Sequence, residues 1–179
     1  MKKTLLIFML FLLNGLLYAQ TDNIRVMYYN VLDYPFSGDP GREEYFRTVN
    51  QYLLADVILV CELQSATGAS TLLNEALNVY GITHYQKAIY YTGDFSENLL
   101  YYNSEKLALY SQDVIYTSLR DINEYVLYYK SADLGTTSDT IFFYFYVAHL
   151  KASQGFESDR LAEVNQFLNH LNAMPNAEN

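Results

Sequence analysis

Three polar side chains stand where apolar segments of this sequence end. Asn30 follows the segment 26–29, Glu62 directly follows the apolar run 57–61, and His149 follows 145–148. In open α/β sheets, functional groups gather beyond the carboxyl ends of strands, so these three side chains are predicted to converge. A carboxylate directly after buried apolar residues is costly unless it is paired or binds a metal. Asn30, Glu62 and His149 are therefore the candidate catalytic residues.

Each of these residues also has a structural interpretation. An asparagine here commonly satisfies a turn, and a histidine after a strand is commonly a hydrogen-bonded core residue. Cys61, the only cysteine, is predicted to be a buried small residue and not a reactive thiol. The site prediction thus depends on the combination of three strand ends.

The elements that must position these residues follow two patterns. Apolar runs predict strands at 24–31 and 56–63, and helical periodicity predicts helices at 42–54 and 68–79. Later strands are predicted at 84–90, 98–103, 107–117, 125–131 and 140–150. A last helix, ending near Pro175, presents an apolar face of Leu161, Val164, Phe167, Leu168 and Leu171.

These patterns predict an α/β (α+β) fold with stacked sheets flanked by helices. The strand at 140–147 is apolar at nearly every position, so it is expected to need cover on both faces. Neither repeats nor linkers divide the sequence, which predicts one domain at 20–179.

The N-terminal residues predict export. Lys2 and Lys3 precede an apolar run from Leu5 to Leu13, and Ala19 offers a small residue at a cleavage position. This pattern indicates a signal peptide at 1–19 and a periplasmic or extracellular location without stable membrane insertion after cleavage. A membrane anchor is the alternative, but a spanning helix needs about 20 apolar residues.

The chain is acidic, with a formal net charge of −9. This charge counts against tight, non-specific binding of long nucleic acids, which depends on a basic surface. It does not exclude a phosphodiesterase, because a bound divalent cation can supply local positive charge.

Several short segments together resemble one known family. They are Tyr29-Asn30-Val31-Leu32, the segment from Ala55-Asp56 to Glu62-Leu63, Asn98-Leu99-Leu100-Tyr101-Tyr102-Asn103, Arg120-Asp121, and His149-Leu150-Lys151-Ala152 followed by Asp159-Arg160-Leu161-Ala162-Glu163. The sequence from 24 to about 175 is similar to the N-terminal portion of the endonuclease/exonuclease/phosphatase (DNase I-like) superfamily, in its secreted bacterial type. The resemblance implies a two-sheet β-sandwich flanked by helices.

The resemblance also implies hydrolysis of a phosphodiester, such as DNA or RNA, by attack of a metal-activated water. Asn30 and Glu62 would bind Mg²⁺, or Mn²⁺ or Ca²⁺, because hard cations prefer oxygen ligands. His149 would donate a hydrogen bond or proton to a phosphate oxygen. Tyr101, Lys151 and Arg160 are weaker candidates for binding the substrate.

The sequence departs from the family after Leu171. The family places a Gly-Asp-x-Asn motif there and an Asp-His pair later, and the residues 172–179 contain neither. The expectation is a C-terminally truncated domain that is unstable and inactive by itself. The alternative is a secreted, non-catalytic binding module on the same scaffold. The substrate stays open between nucleic acid, a phospholipid head group and a small phosphoester, and the sequence predicts no oligomeric state.

Overall fold

Two β-sheets with helices beside them make up residues 22–92, 98–136 and 140–174, which a computed structural model describes. The predicted signal peptide at 1–19, part of the predicted loop 133–139 and the residues after Met174 lie outside these ranges. Within them, no helix is both long enough and apolar enough to cross a membrane.

The described elements follow the predicted order. They are β1 (Val26–Tyr34), α1 (Glu43–Leu53), β2 (Val57–Leu63), α2 (Ala66–Thr71), a π-helical segment (Leu72–Leu77), β3 (Tyr85–Lys87), β4 (Leu99–Asn103), β5 (Leu107–Ile115), β6 (Ile122–Tyr129), β7 (Phe142–Val147) and α3 (Glu157–Ala173).

The strands form two separate sheets. Sheet A has the order β1-β2-β4-β3, and sheet B has the order β5-β6-β7. β1 and β2 are parallel, whereas the other neighbouring strands are antiparallel. A parallel pair needs a crossover connection, and α1 supplies it. Because β1 and β2 run in the same direction, their carboxyl ends lie at one edge of sheet A.

The core joins both sheets and the helices. β2 is buried along nearly its whole length, as expected for a central strand covered on both faces. Phe46 of α1 and Leu72 of the π-helical segment are buried with the sheet A residues. Leu127 and Val147 bring sheet B into the same apolar cluster. The packing of the two sheets therefore fixes how their strand ends face one another.

Two details of the sequence prediction are wrong. β7 is not covered on both faces, since Phe142 is 40% and Tyr144 is 52% exposed. Aromatic residues tolerate a half-wet sheet surface, so a continuous apolar run did not require burial. The expected apolar face of the last helix is also covered only in part: Leu161 is 60% and Leu168 is 46% exposed, while the other three residues of that face are half-buried. Among the described residues of α3, Glu163 is the fully buried one.

Candidate active site

The carboxyl ends of β1 and β2 place Asn30 beside Glu62. Asn30 is in register with Cys61, the residue before Glu62. Asn30 Nδ2 donates a hydrogen bond of 2.8 Å to Glu62 Oε1, and Asn30 Oδ1 accepts one of 2.7 Å from the Leu32 amide. One side chain thus both closes a local turn and orients the carboxylate.

The backbone around this pair is irregular. The β1–β2 register shifts between Asn30 and Tyr34, so β1 carries a bulge there. Leu32, Asp33 and Glu62 have positive φ angles of 52°, 48° and 59°. Non-glycine residues adopt this region at an energetic cost and do so preferentially where function requires it. Bulges of this kind redirect side chains at the end of a strand.

His149 reaches the same carboxylate from sheet B. Its Nε2 lies 3.2 Å from Glu62 Oε1, and the His149 side chain is 26% exposed. The Tyr28 hydroxyl donates to the Ala148 carbonyl at 3.1 Å and so ties the chain just before His149 to β1. The structure therefore brings Asn30, Glu62 and His149 together, as the strand-end pattern predicts.

Arg120 adds a cation to this cluster. Its Nη1 lies 2.9 Å from His149 Nδ1 and 3.0 Å from Nε2. An atom equidistant from both nitrogens in the ring plane would collide with Cε1, so the guanidinium nitrogen lies over the ring face. Nη1 also donates to the carbonyls of His149 at 3.1 Å and Leu150 at 3.3 Å. The positive charge is therefore fixed against the imidazole.

This environment favours the neutral form of His149. Burial lowers the pKa of His149 from its ordinary value of 6.5, and the Arg120 guanidinium lowers the pKa further, while the Glu62 carboxylate opposes both. In a neutral imidazole one nitrogen donates and the other accepts. Since Glu62 Oε1 can only accept, we assign the proton to Nε2, which leaves Nδ1 unprotonated.

Helix α3 supports the loop that follows His149. Glu163 Oε1 accepts from the Arg120 amide at 3.1 Å, and Glu163 Oε2 accepts from the Lys151 amide at 3.2 Å. Arg160 Nη1 donates to the carbonyls of Lys151 and Ser153, both at 2.9 Å. One face of α3 thus holds the main chain on both sides of the cluster.

The three residues predicted to bind substrate lie in different surroundings. Tyr101 is completely buried in β4, and its hydroxyl donates to the Ala69 carbonyl at 2.9 Å. The structure therefore places Tyr101 in the core and not at the cluster. Arg160 is committed to main-chain carbonyls. The Lys151 ammonium lies 4.8 Å from the centre of the Phe156 ring, beside the cluster but not in it.

Glu62 and Asn30 also fit the predicted cation. Glu62 Oε1 receives Asn30 and His149, whereas Oε2 has no hydrogen-bond partner among the described residues. Asn30 Oδ1 keeps a second lone pair beyond its bond to Leu32. Across the described ranges, no group of three or more His, Cys, Asp or Glu side chains could enclose a metal ion. The donors suit a Mg²⁺-like ion that keeps several waters and takes one or two protein oxygens.

Two cavities flank sheet A at opposite ends. The smaller, about 240 Å³, adjoins Asn30 and Leu32 and is lined further by Arg42 and Tyr45. The larger, about 390 Å³, surrounds Asp56 and lies at the amino ends of β1 and β2, away from the strand-end cluster. Of the cluster, Asn30 lines the smaller cavity, whereas Glu62, His149 and Arg120 line neither cavity, so the site is assigned from the cluster itself.

Sequence reasoning did not select Arg120 or Glu163 as site residues. Arg120 appears in the sequence only as part of an Arg-Asp pair before a strand. Glu163 lies three residues after Arg160 and four before Phe167, which puts a carboxylate on the side of α3 that faces the sheet. An acidic residue on the inward side of a helix is the feature of the sequence that could have indicated a role for Glu163.

The two sheets, the flanking helices and the strand-end cluster define the DNase I-like α+β fold. The sequence matches no protein-family model and no curated protein. Among solved structures, a D. rerio TDP2 carrying 14 humanizing mutations matches with a TM-score of 0.59 and 11% identity over 86% of this chain. D. rerio TDP2 complexed with a single-strand DNA product matches with a TM-score of 0.57 and 11% identity over 86% of this chain.

The catalytic domain of human Nocturnin, with a bound sulfate anion, is also similar. It matches with a TM-score of 0.59 and 18% identity over 83% of this chain. The chain spans 62% and 56% of the two TDP2 chains and 58% of the Nocturnin chain. The TM-scores show a shared fold, and at these identities the fold alone, which confirms the predicted two-sheet architecture.

Proposed function

We propose that this protein belongs to the endonuclease/exonuclease/phosphatase superfamily and is a metal-dependent phosphoesterase that hydrolyses phosphodiesters. The observation that carries the proposal is the cluster of Asn30, Glu62, His149 and Arg120 at the strand ends of a DNase I-like fold. An oxygen-rich edge beside an imidazole and a guanidinium suits a phosphate group, whose oxygens accept hydrogen bonds and need positive charge.

In this proposal each residue has a distinct task. Glu62 Oε2 and Asn30 Oδ1 hold the divalent cation, which when bound polarises a phosphoryl oxygen and stabilises the leaving oxygen. The neutral His149 ring carries one proton, on Nε2, which donates to Glu62 Oε1 in the structure; on substrate binding this N–H turns to a phosphate oxygen. Arg120 adds a fixed positive charge on the same side.

Nucleic acid is the proposed substrate class. One structure with this fold is that of D. rerio TDP2 with a single-strand DNA product. The net charge of −9 disfavours long electrostatic contacts with a duplex, so we propose short or single-stranded phosphodiesters. The proposed location is extracytoplasmic, because the Lys2-Lys3 pair and the apolar run from Leu5 to Leu13 have the pattern of a signal peptide.

The test measures hydrolysis of bis-(p-nitrophenyl) phosphate and of a single-stranded DNA oligonucleotide by the protein produced from its whole gene. Activity is expected with Mg²⁺ and not with a chelator. Glu62→Ala is expected to lower kcat/KM at least about a hundredfold, since the loss of a metal ligand removes several kcal/mol of transition-state stabilisation.

Glu44→Ala is the matched control. Glu44 is exposed on α1, and its side chain makes no contact with the cluster, so this variant should keep full activity. Activity that survives both the chelator and Glu62→Ala would contradict the metal site. A folded protein that hydrolyses neither substrate, yet binds the oligonucleotide, would instead support a binding module.

A further inference from the structure

Glu163 is an isolated buried carboxylate. Its side chain is completely buried, and no Lys, Arg or His among the described residues forms an ion pair with it. Burying a charge without a counter-ion costs folding free energy. A well-packed apolar residue at this position would hold α3 against the sheet without that cost. What Glu163 does provide is two charge-assisted hydrogen bonds to main-chain amides.

Those two amides belong to the two segments that carry the functional side chains. The Arg120 amide lies in the connection between β5 and β6, and the Lys151 amide lies two residues after His149. The Arg120 amide has a second acceptor, Thr117 Oγ1 at 3.0 Å. The Lys151 amide has Glu163 as its acceptor. Glu163 thus bridges the two segments that continue from the paired ends of β6 and β7, beyond the pair Asn123–Val147.

The bridge leads directly to the imidazole. With its main chain held, Arg120 directs Nη1 onto the His149 ring and onto the carbonyls of His149 and Leu150. Arg160, one turn earlier on α3, holds the Lys151 carbonyl while Glu163 holds the Lys151 amide. The main-chain N–H and C=O of Lys151 are therefore both hydrogen-bonded to side chains of α3.

We propose that Glu163 is a positioning residue that fixes Arg120 relative to His149 through these two main-chain bonds. It touches neither substrate nor cation, and its catalytic part rests on the proposed phosphoesterase function. The positioning role itself does not depend on that function, because it concerns the Arg120 and Lys151 amides, which both donate to Glu163.

The experiment compares Glu163→Gln with Asp159→Asn in the protein produced from its whole gene. Glutamine keeps the shape of Glu163 but offers one acceptor oxygen, so it can satisfy only one of the two amides. Asp159 is on the same helix and carries the same charge, and its side chain makes no hydrogen bond or ion pair with the described residues.

Amide hydrogen exchange by NMR is the readout that does not depend on activity. In Glu163→Gln, at least one of the Lys151 and Arg120 amides should exchange roughly ten- to a hundredfold faster, because the NH2 group of glutamine cannot accept a hydrogen bond. Amides of β2 should keep their rates. Unchanged rates at both Lys151 and Arg120, or the same acceleration in β2, would overturn the proposal.

Kinetics with bis-(p-nitrophenyl) phosphate and Mg²⁺ test the catalytic part. Glu163→Gln should lower kcat about tenfold and change KM less than about twofold, since misplaced groups act in the transition state. Asp159→Asn should match the wild type. An unchanged kcat would overturn the catalytic part. A wild-type protein without activity would reject the proposed function, while the exchange rates would still decide whether Glu163 holds the two segments.

Discussion

Asn98 holds the two sheets together directly behind the cluster. It is the residue before β4 in sheet A, it is 3% exposed, and its Nδ2 reaches three acceptors from the sheet B side. These are the Asp121 carbonyl at 3.1 Å, Asn123 Oδ1 at 3.0 Å and the Val147 carbonyl at 3.1 Å. Asp121 adjoins Arg120, and Val147 precedes His149 by two residues. We predict that Asn98→Ala both destabilises the fold and weakens the contacts among Asn30, Glu62, His149 and Arg120.

The size of the effect follows from the contacts. The amide group has two protons for three acceptors, so it makes two hydrogen bonds at a time, each worth about 0.5–1.5 kcal/mol net. Alanine leaves buried main-chain carbonyls without this donor, which adds a desolvation cost of about 1–3 kcal/mol. We expect the free energy of unfolding to fall by about 2–4 kcal/mol, a large part of the roughly 5–15 kcal/mol of a typical domain.

Urea unfolding followed by far-UV circular dichroism measures this loss. The midpoint should fall by about 1–2 M with an unchanged slope, because the surface exposed on unfolding stays the same. Asn165→Ala, at an exposed position of α3, is the control and should change stability by less than about 0.5 kcal/mol. If Asn98→Ala is no more destabilising than this control, the two sheets are held by apolar packing alone and our reasoning is wrong.

Three further predictions concern the other polar and reactive groups. Tyr101→Phe should cost about 1 kcal/mol of stability, by the same urea assay, and leave KM unchanged, because the hydroxyl is a buried donor to Ala69. Because burial and Arg120 lower the pKa of His149 in the folded state, the unfolded chain binds this proton first. The contribution of His149 to stability should therefore be complete above about pH 6.5 and be lost as the pH falls below that value. Urea midpoints measured over a pH series test this, and His149→Gln should make them depend less on pH. Burial raises the pKa of the Cys61 thiol, so a thiol reagent should react slowly with native protein and rapidly in urea.

The strand-end residues could be predicted from sequence because their signal is local. Glu62 follows five apolar residues, so its position at the end of β2 is readable without knowing the fold. Asn30 is readable in the same way, and the parallel pairing of β1 and β2 then brings the two together. His149 needed one further assumption, that a strand of another sheet ends beside them.

Tyr101 shows where resemblance in a short segment fails. It became a candidate for binding the substrate through the similarity of the segment 98–103 to the family, and not through a position at a strand end. β4 lies inside sheet A, between β2 and β3, and the Tyr101 side chain points to the helices, near Phe46 of α1 and Ala69 of α2. Strand order within a sheet is a property of long-range pairing, and no spacing in the sequence reveals it.

Arg120 and Glu163 were hidden for a related reason. Their roles arise from contacts between residues 12 to 43 positions apart in the chain, across a sheet, a loop and a helix. The charge of Arg120 is ordinary in a surface loop, and only the packing of sheet B against sheet A brings it over the His149 ring. The role of Glu163 could be predicted only by knowing which face of α3 points inward. The apolar face predicted for that helix is covered only in part.

The cluster therefore depends on the interface between the sheets more than on either sheet. Asn30 and Glu62 come from sheet A, whereas Arg120 and His149 come from the ends of sheet B strands. The contact that unites them is the 3.2 Å approach of His149 to Glu62. A relative shift of about 1 Å between the sheets would break that contact without disturbing either set of strand pairings, and misplacement on this scale is enough to cost about a hundredfold in rate. The buried Asn98 side chain restricts that shift through its hydrogen bonds to the sheet B side, and apolar contacts restrict it less because they are not directional.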